Sequence, residues 1–421
     1  MENLALFGGE KAVNDVPEEL FKWPIVTKED EDAVLEVLRR GAMSGTDVTV
    51  QFEKEFAAWQ GSTFALAFCN GTMSLQAAMY AVKLGAGDEM ICPSKTFWAS
   101  CVQTFNLGAS VVFADIDKDT LCIDPDDLER CIGPRTKAIM VVHYLAHPAD
   151  MDRIMKIAKR HGLKVIEDVS HAQGGYYKGL KLGTIGDVGA MSLMSGKSFA
   201  IGEAGMLVTD DKEIYDRAIA YAHYNRSNAA EISTPELLNY PRIALGGMKG
   251  RLNQTCSAMG RVQLKYYDER CAEINKAMDY FWKGIEGIKG IKAHRVDETD
   301  GSTMAGWYAA VGIYNPEDFG GLELSRFCEA LNAEGCDVRI NKDVPLHTNP
   351  LFKDFNLAHT EKPTRIAFAD RDVRELDNAL NVCETVQIFN VPWFRKFMPE
   401  QIDKYISAFK KVCQQYELLL S

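Results

Sequence analysis

Phe64-Ala-Leu-Ala-Phe68, Glu89-Met-Ile-Cys92, Ala109-Ser-Val-Val-Phe113, Lys137-Ala-Ile-Met-Val-Val142 and Leu163-Lys-Val-Ile166 are short apolar runs spaced along one stretch of the chain. Segments with helical periodicity lie between them. Asn70-Gly71-Thr72 leads into Leu75, Ala78, Val82 and Leu84, closed by Gly85. Thr96 to Leu107 reads as a further helix. Asp124-Pro125 supplies a cap and a first-turn proline for a helix to about Ile132. Asp150 to Arg160 turns Met151, Ile154, Ile157 and Ala158 to one face. Short apolar strands separated by helices are βαβ units, and they predict a mainly parallel sheet covered on both faces. The fold class is therefore α/β.

Outward from this stretch the pattern changes. Thr27-Lys-Glu-Asp30 is a capping threonine with an acidic first turn, and Phe52, Phe56 and Trp59 form a helical stripe stopped by Gly61. Downstream, Val188 to Leu193 and Met206 to Thr209 read as strands, and Lys212 to His223 as a helix. Asn225 to Tyr240 is polar and aperiodic, a long loop or a partner-contacting arm. A long helix begins near Asn253. Beyond it come a strand near Gly306 to Val311, a helix over Leu322 to Leu331, a strand at Cys336 to Ile340 and two late helices. These divide the chain into a large domain, 1–255, and a smaller α+β domain, 256–421.

Length and composition agree with this division and narrow the function. A chain of 421 residues is too long for one small core. A net charge of −12 argues against a nucleic-acid or anionic-membrane surface. The N-terminus has no basic region followed by an apolar stretch, so no signal peptide is expected. No window approaches the roughly 18 apolar residues of a membrane span. The 11 cysteines are scattered through apolar segments without a CxxC pair. They read as reduced thiols of a cytoplasmic protein, and no metal site is expected.

Ligands of parallel sheets bind at the carboxyl ends of the strands. Asn70-Gly71-Thr72, Pro93 to Phe97, His143, Asp168, His171 and the loop after Val188–Leu193 all fall there. That last loop displays Lys197 between two buried strands, with Gly202 and Gly205 beyond it. A lysine in a turn is ordinarily a solvated group. Here it is placed to hold a carbonyl cofactor as a Schiff base, and pyridoxal phosphate (PLP) is the cofactor that such a lysine serves. PLP also needs an acid at its pyridine nitrogen, for which Asp168 is the candidate. Backbone N–H groups at a helix start, at Gly71 and Thr72, would bind phosphate, with the Ser192 hydroxyl beside them. Phe97 can stack on the ring. His171 can hydrogen-bond the ring oxygen. Each also has an ordinary structural reading: a cap, a core aromatic, a satisfied serine or histidine.

Joined together, the motifs are specific. Glu167-Asp-Val-Ser-His-Ala-Gln-Gly-Gly-Tyr-Tyr-Lys-Gly179, Gly186-Asp187, Ser192 with Lys197 five residues later, and Gly202-Glu-Ala-Gly205 resemble the signature of the DegT/DnrJ/StrS family of PLP-dependent sugar aminotransferases. Gly41-Ala-Met-Ser-Gly45, Pro93-Ser-Lys-Thr-Phe97 and Ala149-Asp-Met-Asp152 fit too, so the resemblance spans the chain. It implies an aspartate-aminotransferase-like fold (fold type I) and a homodimer with shared active sites. It implies roles for Lys197, Asp168, Phe97, His171, Gly71, Thr72 and Ser192 as above, and it gives Lys249 a reach to the neighbour's phosphate. L-Glutamate or L-glutamine would donate an amino group to a ketone on a nucleotide-linked sugar or an inosose-type cyclitol. The chain departs from the family at His147 and keeps Pro345-Leu-His347 without the usual preceding tyrosine. His147 and His347 are therefore candidate substrate contacts. Two rivals within the fold are a dehydrating, aromatising enzyme resembling aminohydroxybenzoate synthases and a non-catalytic PLP-binding regulator. A nucleotide-binding oxidoreductase is disfavoured because no GxGxxG follows the early strands.

Overall fold

The computed structural model describes residues 3–352 and 380–420. Its centre is a seven-stranded sheet of β1 (Phe64–Phe68), β2 (Glu89–Pro93), β3 (Ser110–Ala114), β4 (Thr136–Val142), β5 (Lys164–Asp168), β8 (Val188–Ser192) and β9 (Gly205–Thr209). The strand order is β1-β9-β8-β5-β4-β2-β3. Neighbours from β3 to β8 are parallel, and β9 alone runs against both of its neighbours, β8 and β1. Ile139, Met140 and Val141 of β4 are fully buried, as are Met90, Ile91 and Cys92 of β2. Burial on both faces explains why these strands read as unbroken apolar runs rather than alternating ones. A small hairpin, β6 (Tyr176–Tyr177) and β7 (Leu180–Lys181), follows the β5 loop.

The flanking helices follow local signals. In α1 (Lys28–Arg39) the Thr27 side chain and Asp30 form a reciprocal capping box. After α2 (Asp47–Gln60), Gly61 closes with φ 81°. α3 (Gly71–Ala81) begins at Asn70, whose side chain accepts from the Met73 N–H at 2.8 Å. α4 (Pro125–Arg130) starts at the expected Asp124-Pro125. α5 (Met151–His161) buries Met151, Ile154, Ile157 and Ala158 as its periodicity predicts. α6 is Lys212–Ala222, and α7 (Gln254–Gly284) is capped by Asn253.

A second sheet, fully antiparallel, has the order β10 (Ile291–Ala293), β11 (Val311–Tyr314), β13 (Gln387–Asn390), β12 (Arg339–Ile340). It packs with α7, α8 (Leu324–Ala333) and the last long helix, Pro399–Gln414, around Phe281, Phe327, Phe389, Phe394 and Phe409. Leu4, Val13 and Leu20 join this second core, so the chain's opening residues pack with its closing ones. Val382–Thr385 is a single helical turn. The expected second domain also includes 353–379, which lies outside the described residues.

Two local expectations are corrected. Thr96 to Leu107 is not an α-helix but two 3-10 stretches, Trp98–Ser100 and Val102–Leu107. Hydroxyls compete with the backbone there: Thr96 Oγ1 pairs with Ser100 Oγ at 2.9 Å, and Thr104 Oγ1 donates to the Cys101 carbonyl at 2.8 Å. The strand near Gly306 to Val311 starts only at Val311. Ala305, Trp307 and Ala309 before it have φ of 46°, 53° and 49°, the left-handed region that a strand cannot use.

Candidate active site

The carboxyl ends of β1, β2, β4, β5 and β8 open onto a cavity of about 550 Å³. Gly71, Thr72, Phe97, Asp168, His171, Ser192 and Lys197 all line it. Sequence positions more than a hundred residues apart meet there because each follows a parallel strand.

Lys197 is 8% exposed. Its amide donates to the Met194 carbonyl at 2.8 Å, and its own carbonyl accepts from the Trp23 indole at 2.9 Å. The next residue is fixed as firmly. Ser198 Oγ donates to Gln173 Oε1 at 2.7 Å and sits 2.8 Å from the Tyr267 hydroxyl. Gln173 Nε2 in turn donates to the carbonyls of Ser170 and Ser192. The loop that carries the lysine is thus tied to the loop after β5 and to the end of β8. Burial pushes the amine down to about 8, against the opposing pull of Asp168 and Asp343. A buried amine that loses its proton this readily is a nucleophile near neutral pH.

Asp168 ends β5. One carboxylate oxygen accepts from Ser100 Oγ at 2.8 Å and the other from the Ser170 N–H at 3.0 Å. The preceding residue, Glu167, is fully buried and serves the scaffold. It accepts from the N–H groups of Gly183, Ile185 and Gly186, and from His143 Nε2 at 3.0 Å. His143 Nδ1 accepts from the Ala149 N–H at 3.1 Å, so Nε2 carries the proton.

His171 accepts from the Leu145 N–H through Nδ1 at 3.2 Å. Burial, and secondarily the positive Lys197, hold its imidazole well below the ordinary value, so the ring is neutral with its proton on Nε2. Its ring lies 4.5 Å from that of Tyr308, and Lys197 Nζ sits 4.1 Å above the same tyrosine ring. Phe97 is 55% exposed at the cavity, with Trp98 beside it at 5.0 Å. An aromatic left this open at the cavity is free to stack on a ligand.

The amino end of α3 closes one side. A Cβ on Gly71 would fall 2.5 Å from Ser192 Cβ, so only glycine lets the first turn of α3 press against the end of β8. A Cβ on Gly205 would fall 2.2 Å from the Asn70 carbonyl oxygen. This packing brings the Gly71 and Thr72 backbone, with the Ser192 hydroxyl, to the cavity wall. The donor set fits PLP: a reactive buried amine, a carboxylate held by two donors, an open aromatic, and a helix amino end beside a hydroxyl for phosphate.

Two expected substrate contacts, His147 and His347, are not among the residues that line this cavity. His147 turns to the Pro148 carbonyl, which Nδ1 meets at 2.8 Å, and stacks near His294 at 5.1 Å. His347 is buried with both nitrogens engaged, Nδ1 with Ser94 Oγ at 2.7 Å and Nε2 with Glu384 Oε1 at 2.8 Å. It anchors a loop rather than facing the cavity. Lys249, expected at a neighbouring subunit's phosphate and not in this cavity, is exposed, 5.6 Å from the Tyr224 ring centre. Conversely, Tyr308, Asn341, Asp343 and Asn390 line the cavity from the second sheet's side, and sequence reading missed them. Tyr308 is presented by the alternating left-handed residues around it, a conformation that its strand-like neighbours conceal.

Comparison with known proteins agrees with this geometry. Residues 24–376 match the DegT/DnrJ/EryC1/StrS aminotransferase family. The spore coat polysaccharide biosynthesis protein SpsC of Bacillus subtilis is 32% identical over 93% of this chain and 96% of its own. A putative L-glutamine:3-amino-2,3-dideoxy-scyllo-inosose aminotransferase of Micromonospora echinospora is 32% identical over 98% of this chain and 97% of its own. The X-ray structure of an aminotransferase from Psychrobacter cryohalolentis superposes with a TM-score of 0.77 at 27% identity, over 94% of this chain and all of that one. The rival readings as a regulator or an oxidoreductase give way, and the chain belongs to the DegT/DnrJ/EryC1/StrS aminotransferase family.

Proposed function

We propose that this enzyme moves an amino group from L-glutamine or L-glutamate to a ketone on a sugar or cyclitol ring. The observation that carries the reading is the buried Lys197 amine, tuned to about 8, in one cavity with Asp168 and the start of α3. The names of the two relatives, one in polysaccharide biosynthesis and one acting on an inosose, support the acceptor class.

Gly71, Thr72 and Ser192 would hold the cofactor phosphate, Asp168 its ring nitrogen, Phe97 its face and His171 Nε2 its ring oxygen. Bound there, PLP supplies an electron sink for the substrate carbon that loses or gains the amine. Lys197 Nζ takes the proton from the donor's α-carbon and returns one on the acceptor side. Ser100 and the Ser170 amide keep Asp168 fixed for its partner.

The enzyme works as a homodimer in the cytoplasm, with 1–255 as its large domain, whose opening residues pack onto the small one, 256–421. Lys249 completes the neighbour's phosphate site. Supporting this are the exposed apolar side chains of Leu238, Tyr240 and Ile243 on the segment that leads to Lys249. The free cysteines suit a reducing compartment. Among the described residues no helix is long and apolar enough to cross a membrane.

The test is a pair of half-reactions. The PLP-loaded protein should lose its visible absorbance on addition of L-glutamine or L-glutamate, releasing the keto acid. A ring ketone should restore the absorbance and leave as the amine. No spectral change with either donor would refute the reading.

A further inference from the structure

Asp343 enters the cavity from the second sheet's side and is held from several directions. Tyr144 donates its hydroxyl to Asp343 Oδ2 at 2.5 Å. Lys95 Nζ donates to the Asp343 carbonyl at 3.0 Å, and the Asp343 amide donates to Asn341 Oδ1 at 3.0 Å. Three residues on, the Leu346 amide donates to the Ser94 carbonyl at 2.7 Å, and His347 is clamped between Ser94 and Glu384. Among the described residues, Oδ1 has no hydrogen-bond partner. The result is a carboxylate fixed through one oxygen, with the other available, on a wall that also carries the amides Asn341 and Asn390.

The charges around it matter. Among the described residues that line the cavity, Asp168, Glu203 and Asp343 are acidic and Lys197 is basic. A fixed carboxylate accepts from hydroxyl groups and repels a phosphate brought against it, and like-charge juxtaposition is an effective means of rejecting a wrong ligand.

We propose that Asp343 is the specificity-determining residue for the acceptor, selecting an uncharged polyhydroxy ring ketone that donates hydroxyl hydrogen bonds to it over a nucleotide-linked keto-sugar. This rests on the aminotransferase reading above and deepens it.

The test separates the two. Wild type and Asp343→Asn, both PLP-loaded, are first taken through the donor half-reaction with L-glutamine. They are then challenged with an inosose and, separately, with a nucleoside-diphosphate-linked 4-keto sugar. Wild type should favour the inosose in kcat/KM. D343N should reduce the inosose-to-nucleotide preference by about tenfold or more, mostly through the KM of the inosose. Its effect on the donor step should be several-fold smaller. Tyr144→Phe, which frees Oδ2, should shift the preference the same way to a lesser degree. A wild type that prefers the nucleotide-linked sugar would overturn the assignment. So would a preference unchanged within about twofold in D343N, or an equal loss in both half-reactions. A wild type inert to the donor would instead overturn the aminotransferase reading, and the Asp343 assignment with it.

Discussion

Gly71 and Ser192 touch backbone to side chain: a methyl group on Gly71 would stand 2.5 Å from Ser192 Cβ and 2.6 Å from its Cα. Neither atom is the end of a flexible side chain, so Gly71→Ala must push α3 away from β8. The chain should still fold, because the sheet core does not depend on this contact. Cofactor affinity should fall by about tenfold or more, because the N–H groups of the first turn are displaced from the Ser192 hydroxyl. Equilibrium titration of the cofactor-free variant with PLP measures it, and Ser192→Ala should show a smaller loss.

The tuning of Lys197 gives a pH signature. The cofactor-free amine is protonated below about 8 and cannot attack a carbonyl. Capture of PLP should therefore accelerate by about tenfold per pH unit up to that value and level off above it. Stopped-flow absorbance at several pH values reads this directly.

The same burial costs stability. The folded lysine titrates near 8 and the unfolded one near 10.5, so in that window the unfolded chain binds the extra proton. Stability of the cofactor-free protein rises with pH through the window, and the cost is fully present below 8. Lys197→Met should then stabilise the cofactor-free protein at pH 7 by on the order of 2 kcal/mol, with a smaller gain at pH 10. Denaturant unfolding at the two pH values checks both sign and size.

Ser100 reaches Asp168 from a 3-10 turn that carries Phe97 just before it. Ser100→Ala leaves Asp168 Oδ2 without this donor. The loss should be about 1–2 kcal/mol, seen as roughly a tenfold slower donor half-reaction. The pH at which the loaded enzyme's visible spectrum changes should move as well, which a merely structural serine would not cause.

Glu334 ties the two ends of the chain together. Its fully buried carboxylate accepts from the Ala5 amide at 2.8 Å, the Ala12 amide at 3.1 Å and Lys411 Nζ at 3.0 Å. Glu334→Ala leaves these donors unmet and should destabilise the protein by about 3 kcal/mol, while the half-reactions at low temperature stay near wild type. Thermal unfolding of the loaded and cofactor-free forms measures the change.

What could be read from sequence follows the range of the interactions. Strand order aside, the large sheet was legible because buried parallel strands must be continuously apolar. Lys197, Asp168, Phe97, His171 and Gly71 could be placed together because each follows a strand of that sheet. Asp343 and Tyr308 escaped because long-range packing brings them in from the second sheet's side. No local pattern marks the left-handed backbone that presents Tyr308. His147 and His347 read as substrate contacts from the family resemblance, but neither lines the cavity, and Pro148, Ser94 and Glu384 take their hydrogen bonds. Ser94 and Glu384 lie far from His347 in sequence, so no local pattern announces them.

The central claim is that Lys197 is the residue that holds PLP, and borohydride reduction tests it most directly. The loaded protein is reduced, digested and analysed by mass spectrometry. The account predicts one reduced pyridoxyl-phosphate adduct, on the peptide that contains Lys197, and its disappearance in Lys197→Ala. An adduct on a different lysine in the wild type, or one that persists at full yield in Lys197→Ala, would contradict it.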